Sequence, residues 1–151
     1  MPTSPAAETD DPIDAAGTSS IIGYRLRRAQ LKVFQRFLTV FDKLNLRPAE
    51  YSVLVLIADN PGRKQTEIAE ALGIKRANFV ALVHEIEERG LVERRPARDD
   101  KRANALHLTK AGRAFLVRAR AVHDEMEQAL VERLGGPKGR DTLLALLDRL
   151  M

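Results

Sequence analysis

Residues 61–112, PGRKQTEIAEALGIKRANFVALVHEIEERGLVERRPARDDKRANALHLTKAG, constrain the fold more than any other stretch. Three patterns follow one another. A short helical pattern over residues 66–72 stops at Gly73, and a longer one over 76–89 stops at Gly90. Glycine ends helices because it enters the left-handed region without a Cβ clash. Two arms at 92–95 and 104–108 then flank a charged tip, the pattern of a β-hairpin. Helix, tight turn, helix can present its second helix to a major groove, and a hairpin directly after it is a wing.

The flanks are helical. Ile22, Leu26, Ala29, Val33, Phe37, Val40 and Leu44 recur at steps of three or four across residues 21–44. Leu31, Phe34, Leu38 and Phe41 add a second stripe. So wide an apolar circumference needs cover on more than one side. Its own domain supplies one cover. A second subunit supplies the other, unless the helix is central in a monomer. Pro48 suits the first turn of a helix over 49–59 that buries Tyr51, Val53, Leu54 and Ile57. Asn60-Pro61-Gly62 is a turn.

Beyond the hairpin, Thr109 is a good N-cap for a helix over 111–134, which Gly135-Gly136-Pro137 stops. A last helix over 141–151 carries Leu143, Leu144, Leu146, Leu147 and Leu150. It is too apolar to stand alone and too short to span a membrane. Pairing with the first helix across a dimer interface explains it best.

Net charge is +4, unevenly spread. Residues 1–20 carry four acids and no base, and read as a disordered acidic tail. Residues 60–120 carry fourteen bases against eight acids. A modest basic excess there fits a polyanion, although many soluble domains carry as much. The chain has no cysteine, which excludes disulfides and thiolate metal sites and fits a cytoplasmic protein. No secretory signal and no spanning segment is evident, so no membrane partner is expected.

The helix over 76–89 has two faces. Phe79, Leu82, Val83 and Ile86 make the buried stripe; Ala77, Val80, Ala81, His84 and Glu88 lie opposite. That outer face is small and apolar early and acidic late. Small side chains can press on thymine methyls, Asn78 can pair with adenine, and Arg76 can reach guanine or phosphate. Its N-terminal half should therefore face DNA. Lys64 and Lys75 stand at helix N-caps, where Ser, Thr or Asp is usual. A cation there opposes the macrodipole, which makes sense beside a phosphate; the alternative is that both lysines point into water. The tip holds Arg98, Asp99, Asp100, Lys101 and Arg102. Asp100 could orient the Arg102 guanidinium for a minor groove, or the tip could be a plain exposed turn.

An enzyme is poorly supported. His84, His107 and His123 are far apart and no catalytic motif accompanies them. His123 and Glu127 form a possible i,i+4 metal pair that chance on a helix face explains. Neither cofactor nor metal is expected. The main alternative is a winged helix used only for protein contacts.

The run from residue 46 to 112 resembles the MarR family of bacterial transcription regulators. The matching pieces are EIAEALGI from Glu67, LVHEIEERGLVERR from Leu82, the Asp100–Arg102 DxR, and LTKAG from Leu108. Lys64 and Lys75 depart from the Thr or Ser the family often has, and Ala81 from its Arg. The resemblance implies a mainly α fold with a small β-hairpin wing: a winged helix-turn-helix flanked by N- and C-terminal dimerisation helices. It implies a single domain over 21–151, with dimerisation helices at 21–47 and 111–151 and a DNA-binding region at 48–110.

The implied partners are double-stranded DNA carrying a pseudo-palindromic operator, a second copy of the chain, and a small aromatic effector, an aromatic acid or its CoA thioester, that releases DNA. DNA contacts then fall to Lys64, Gln65, Thr66, Lys75, Arg76, Ala77, Asn78, Val80, Ala81, His84, Arg98, Asp100, Lys101 and Arg102. The opening GYRLRRAQLKVFQRF is also similar to regulators of aromatic-acid degradation that sense acyl-CoA thioesters. Arg25, Arg27 and Arg28 would pair with CoA phosphates, and Tyr24, Phe34, Phe37, Phe41 and Tyr51 would line the effector site. For the three phenylalanines a place in the dimer core is the competing role.

Overall fold

The computed structural model describes residues 14–151. Residues 1–13 of the expected acidic tail lie outside the described residues. The rest of that tail carries one helical turn, α1 (Ala16–Ser19), started by the Asp14 carboxylate, which accepts from the Ala16 N–H at 2.8 Å. The chain divides into two compact units at Gln35 and Arg36. Helix α2 (Ile22–Val40) runs from the first into the second.

The expected first helix ran to residue 44. It instead tightens after Val40 into a 3-10 turn at Asp42–Leu44, and Asn45 adopts φ 45°. The last carbonyls find other donors there. Arg89 donates to the carbonyls of Asn45 at 2.9 Å and Leu44 at 3.0 Å, so the bend replaces a frayed helix end.

The remainder of the second unit follows the sequence pattern closely. Helix α3 (Pro48–Asp59) opens on its proline, and the Glu50 carboxylate accepts from the Arg47 N–H at 2.7 Å. Helix α4 (Gln65–Ala71) opens the same way, with Glu67 accepting from the Lys64 N–H at 2.8 Å. In each case only the glutamate half of a capping box is present, because Arg47 and Lys64 have no acceptor atom. Helix α5 is Arg76–Glu88.

Strands β1 (Val92–Pro96) and β2 (Asn104–Leu108) pair antiparallel, with Val92 opposite Leu108 and Pro96 opposite Asn104. The far edge of β2 is also paired, which the sequence did not suggest. Gly62 N–H donates to the Leu106 carbonyl, Leu106 N–H donates to that of Arg63, both at 3.0 Å, and Lys64 bridges Ala105. The wing is thereby fastened to the start of α4.

Apolar side chains from these elements meet in one core. Val53, Leu54 and Ile57 of α3, Phe79, Val83 and Ile86 of α5, and Leu106 of β2 are fully or almost fully buried. Tyr51 is only half-buried, as are Leu72 and Leu82.

Helix α6 (Lys110–Arg133) begins under tight constraint. The Thr109 hydroxyl accepts from the Gly112 N–H at 2.9 Å and donates to the Gly90 carbonyl at 2.6 Å. A Cβ on Gly112 would stand 1.9 Å from the Leu91 carbonyl oxygen. Gly135 and Gly136 take φ 85° and 97° and end α6 as expected. Pro137 then opens α7 (Pro137–Asp148), four residues before the expected start. Its fixed φ and missing N–H suit a first helical position as well as a stop. No residue of α7 is buried, and Leu143, Leu144, Leu146 and Leu150 are all exposed.

Replacing Gly112 by Ala should force α6 away from the α5–β1 turn. The expected cost is about 1–3 kcal/mol, as for other overpacked sites. Thermal unfolding should record a Tm lower by roughly 2–10 °C. An unchanged Tm would mean that the junction relaxes freely.

Candidate nucleic-acid interface

The outer face of α5 is open. Arg76, Ala77, Asn78, Val80, Ala81 and His84 are all exposed, Val80 by 44%. Lys75 caps the helix without any side-chain hydrogen bond, and the first turn holds no acid. Late on the same face His84 Nε2 lies 3.3 Å from Glu88. Positive and apolar groups therefore occupy the first half of the helix, and the acids Glu85, Glu87 and Glu88 occupy the second.

Beside this face lies a cleft of about 430 Å³ between the starts of α4 and α5 and the wing. Lys64, Gln65, Thr66, Arg76, Val80, Asp100 and Arg102, all assigned to DNA from the sequence, line it together. Arg94 and Asn104 also line it, with Ala69, Phe79 and Ala103 as its apolar part. Four lining cations against one carboxylate make the cleft attractive to a polyanion. Ala77, Asn78, Ala81 and His84 are exposed on α5 outside the cleft lining, and Arg98 and Lys101 are exposed at the wing tip.

The tip is ordered differently from the expectation. Asp100 does not hold the Arg102 guanidinium. Its carboxylate accepts from the Arg102 backbone N–H at 2.9 Å, while its carbonyl accepts from the Ala103 N–H at 3.0 Å. Asp100 thus shapes the main chain of the tip, as short acidic side chains do in turns. Arg102 is positioned through its backbone and its guanidinium stays exposed.

Lys64 is also placed otherwise than expected. Its Nζ donates to Asp99 Oδ2 at 2.7 Å, so in the free chain it points neither to open water nor to a vacant anion site. The hydrogen bond to Lys64 holds the Asp99 carboxyl below its ordinary range, and the bond to Asp99 raises the Lys64 ammonium. Nothing in the sequence links positions 35 residues apart. Arg94 escaped notice for the same reason. Its Nη1 donates to Glu87 at 2.8 Å and its Nε to Gln65 Oε1 at 3.2 Å.

The residues assigned to an effector fall in both units. Tyr24, Arg25, Arg27, Arg28 and Phe34 lie on the first part of α2; Tyr24 is half-buried and the other four are exposed. Phe37 and Phe41 are core residues of the second unit, their rings stacked 3.9 Å apart. Tyr51 lies 5.7 Å from Phe41 and stacks on His123 at 4.6 Å. Burial pushes the Tyr51 phenol up, and Asp124 adds to that. His123 belongs to this aromatic cluster, a role its sequence position did not disclose. Among the described residues no helix is long and apolar enough to cross a membrane.

The family model described as MarR family matches residues 44–103. A protein of Thauera aromatica, named for transcriptional regulation of the hcr operon, is 35% identical over 130 residues, spanning 85% of this chain and 78% of that protein. The chain belongs to the MarR family. Solved structures superpose on most of the chain. The transcriptional repressor CouR, bound to a 23-mer DNA duplex, is 42% identical and superposes with a TM-score of 0.86, covering 93% of this chain and 99% of the other. CouR bound to p-coumaroyl-CoA is 44% identical, with a TM-score of 0.83 and coverage of 92% and 97%. In this MarR-family chain the winged helix, the exposed face of α5 and the cationic cleft occur together.

The Lys64–Asp99 contact has a direct test in solution. A carboxyl with a depressed pKa contributes stability above its unfolded value and loses it as pH falls through the folded one. Asp99 is exposed and Lys64 only half-buried, so the effect on stability is small. Titration of the Asp99 carboxyl by NMR should give a midpoint below that of an ordinary aspartate. In Lys64→Gln it should return to the ordinary range. An ordinary midpoint in the unsubstituted protein would show that the pair does not persist in water.

Proposed function

We propose that this chain is a homodimeric transcriptional repressor, without catalytic activity, that works in the cytoplasm. It binds a pseudo-palindromic operator and leaves it when an aromatic acyl-CoA binds. The observation that carries the reading is the convergence of α4, α5 and the wing on one cationic cleft beside an open, acid-free helix start. The first half of α5 would lie in a major groove, with Arg76 and Asn78 at base edges and Ala77, Val80 and Ala81 against thymine methyls. His84 sits at the limit of that face. Lys75, Thr66 and Lys64 would meet backbone phosphates, and Arg98, Lys101 and Arg102 would carry the wing to the minor groove.

Dimerisation rests on apolar surface that has no cover within the described chain. Leu143, Leu144, Leu146 and Leu150 of the terminal segment, and Ile22, Leu31 and Leu38 of α2, are each at least 38% exposed. Such surface on a soluble chain marks an interface. A two-fold dimer places its recognition helices about 34–36 Å apart, one turn of DNA. The effector class comes from the likeness to CouR, whose complex holds p-coumaroyl-CoA. Arg25, Arg27 and Arg28 would pair with the CoA phosphates. Within the second unit, Tyr51 with Phe37 and Phe41 would meet the acyl part.

Selection from a random duplex pool, followed by binding measured across a salt series, tests the reading. Affinity should fall linearly in log–log form with a slope of about −0.9 per phosphate contacted. Arg102→Ala should weaken binding and reduce the slope, while sedimentation still shows a dimer. Arg76→Ala or Asn78→Ala should cost roughly 1–3 kcal/mol on the selected site and relax its sequence. Failure to enrich any duplex, with affinity insensitive to salt, would instead assign the winged helix to protein contacts.

A further inference from the structure

The cleft contains a side chain whose hydrogen-bonding sense is fixed before DNA arrives. Arg94 Nε carries one hydrogen and no lone pair, so the Gln65 atom it meets at 3.2 Å must be the amide oxygen. The guanidinium that makes this bond is itself held, its Nη1 donating to Glu87 of α5 at 2.8 Å. Both partners are sheltered: the side chains of Arg94 and Glu87 are 25% and 32% exposed. Gln65 is the first residue of α4, and Lys64 before it is bridged to β2, so the backbone beneath the amide is fixed as well. With its oxygen held on Arg94 the amide cannot flip, and its NH2 is the donor it presents. That group has no acceptor among the described residues, and the side chain lines the cationic cleft.

We infer that Gln65 contacts DNA as a donor through its NH2 and that Arg94, clamped by Glu87, is the positioning residue that holds the amide in that sense. The inference rests on the DNA-binding reading above. A free glutamine amide can flip; this one is held with its oxygen on Arg94 and its NH2 free to donate. It therefore favours a hydrogen-bond acceptor on the nucleic acid, either a phosphate oxygen or a base-edge acceptor such as N7 of a purine. Arg94 in turn links the α4 contact to the far half of α5, where the acids make direct DNA contact unfavourable.

The test compares Gln65→Met, Gln65→Glu, Arg94→Lys and the Gln65→Met/Arg94→Lys pair in full-length protein. Each is titrated against a duplex selected by the unsubstituted protein and against a scrambled duplex. Gln65→Met should weaken binding by about tenfold, in the range of one lost contact. Gln65→Glu should weaken it at least as much, because it replaces the donor by a second acceptor. Equal loss on both duplexes assigns the phosphate oxygen; loss confined to the selected duplex assigns the base acceptor.

Arg94→Lys keeps the charge beside Glu87 but loses the fork. It should weaken binding in the unsubstituted background and have no further effect in Gln65→Met. A purely structural Arg94 would cost the same in both backgrounds, which thermal unfolding of each variant would corroborate; that result overturns its positioning role. If Gln65→Met binds the selected duplex as tightly as the unsubstituted protein, the contact does not exist. If the unsubstituted protein selects no duplex, the DNA-binding reading fails and this inference falls with it.

Discussion

Several elements of the second unit meet at one buried carboxylate. Glu50, on α3, is only 4% exposed. Leaving such a charge unpaired would cost several kcal/mol. It accepts from the Arg47 N–H at 2.7 Å and from the Arg47 guanidinium at 3.2 Å, with Arg89 4.0 Å away. Each arginine has a second task. Arg47 also pairs with Glu85 of α5. Arg89, at the end of α5, takes the carbonyls of the α2–α3 turn and lies over the Phe115 ring of α6 at 5.3 Å. One acid thus joins α3, the base of the recognition helix, the preceding turn and α6. A network this fully satisfied favours one arrangement over its neighbours.

The same carboxylate lies one residue from Tyr51, and Tyr51 belongs to the aromatic cluster of Phe37, Phe41 and His123. A group that disturbed those rings would act on the turn of α3 that carries Glu50, and so on both arginines that hold the end of α5. The opposite end of α5 meets DNA in the reading advanced here. The wing is tied separately, to the start of α4 by the Lys64–Asp99 contact and by Arg94 on Gln65, and to the late half of α5 by Arg94 on Glu87. Effector and operator would then bias one mechanically connected unit. The effector releases DNA only if it binds the DNA-incompetent arrangement more tightly.

Much of this was legible in the sequence because helix periodicity and stop signals are local. Phe79, Val83 and Ile86 marked the buried side of α5, and the face they left open is the open face of the structure. Gly73 marked the end of α4 and Gly90 that of α5, and both adopt positive φ. Pro137 misled because the same locked ring suits a stop and a start, so α7 begins earlier than expected. Asp100 was recognised as the organiser of Arg102, but its partner is the backbone and not the guanidinium. The long-range pairs had no local signature. Lys64 finds Asp99 across the wing, Arg94 finds Gln65, and Tyr51 finds His123 only once the chain has folded back on itself. Gly112 carries no local signal of its packing role; the Leu91 carbonyl against it leaves no room for a side chain.

The most direct test of the account is the affinity of the dimer for its selected duplex with and without saturating p-coumaroyl-CoA, with free CoA as control. The account predicts that the acyl-CoA weakens DNA binding, that free CoA does so far less, and that DNA weakens acyl-CoA binding by the same factor, as linkage requires. DNA affinity unchanged by p-coumaroyl-CoA, at concentrations where its binding to the protein is measured, would contradict it.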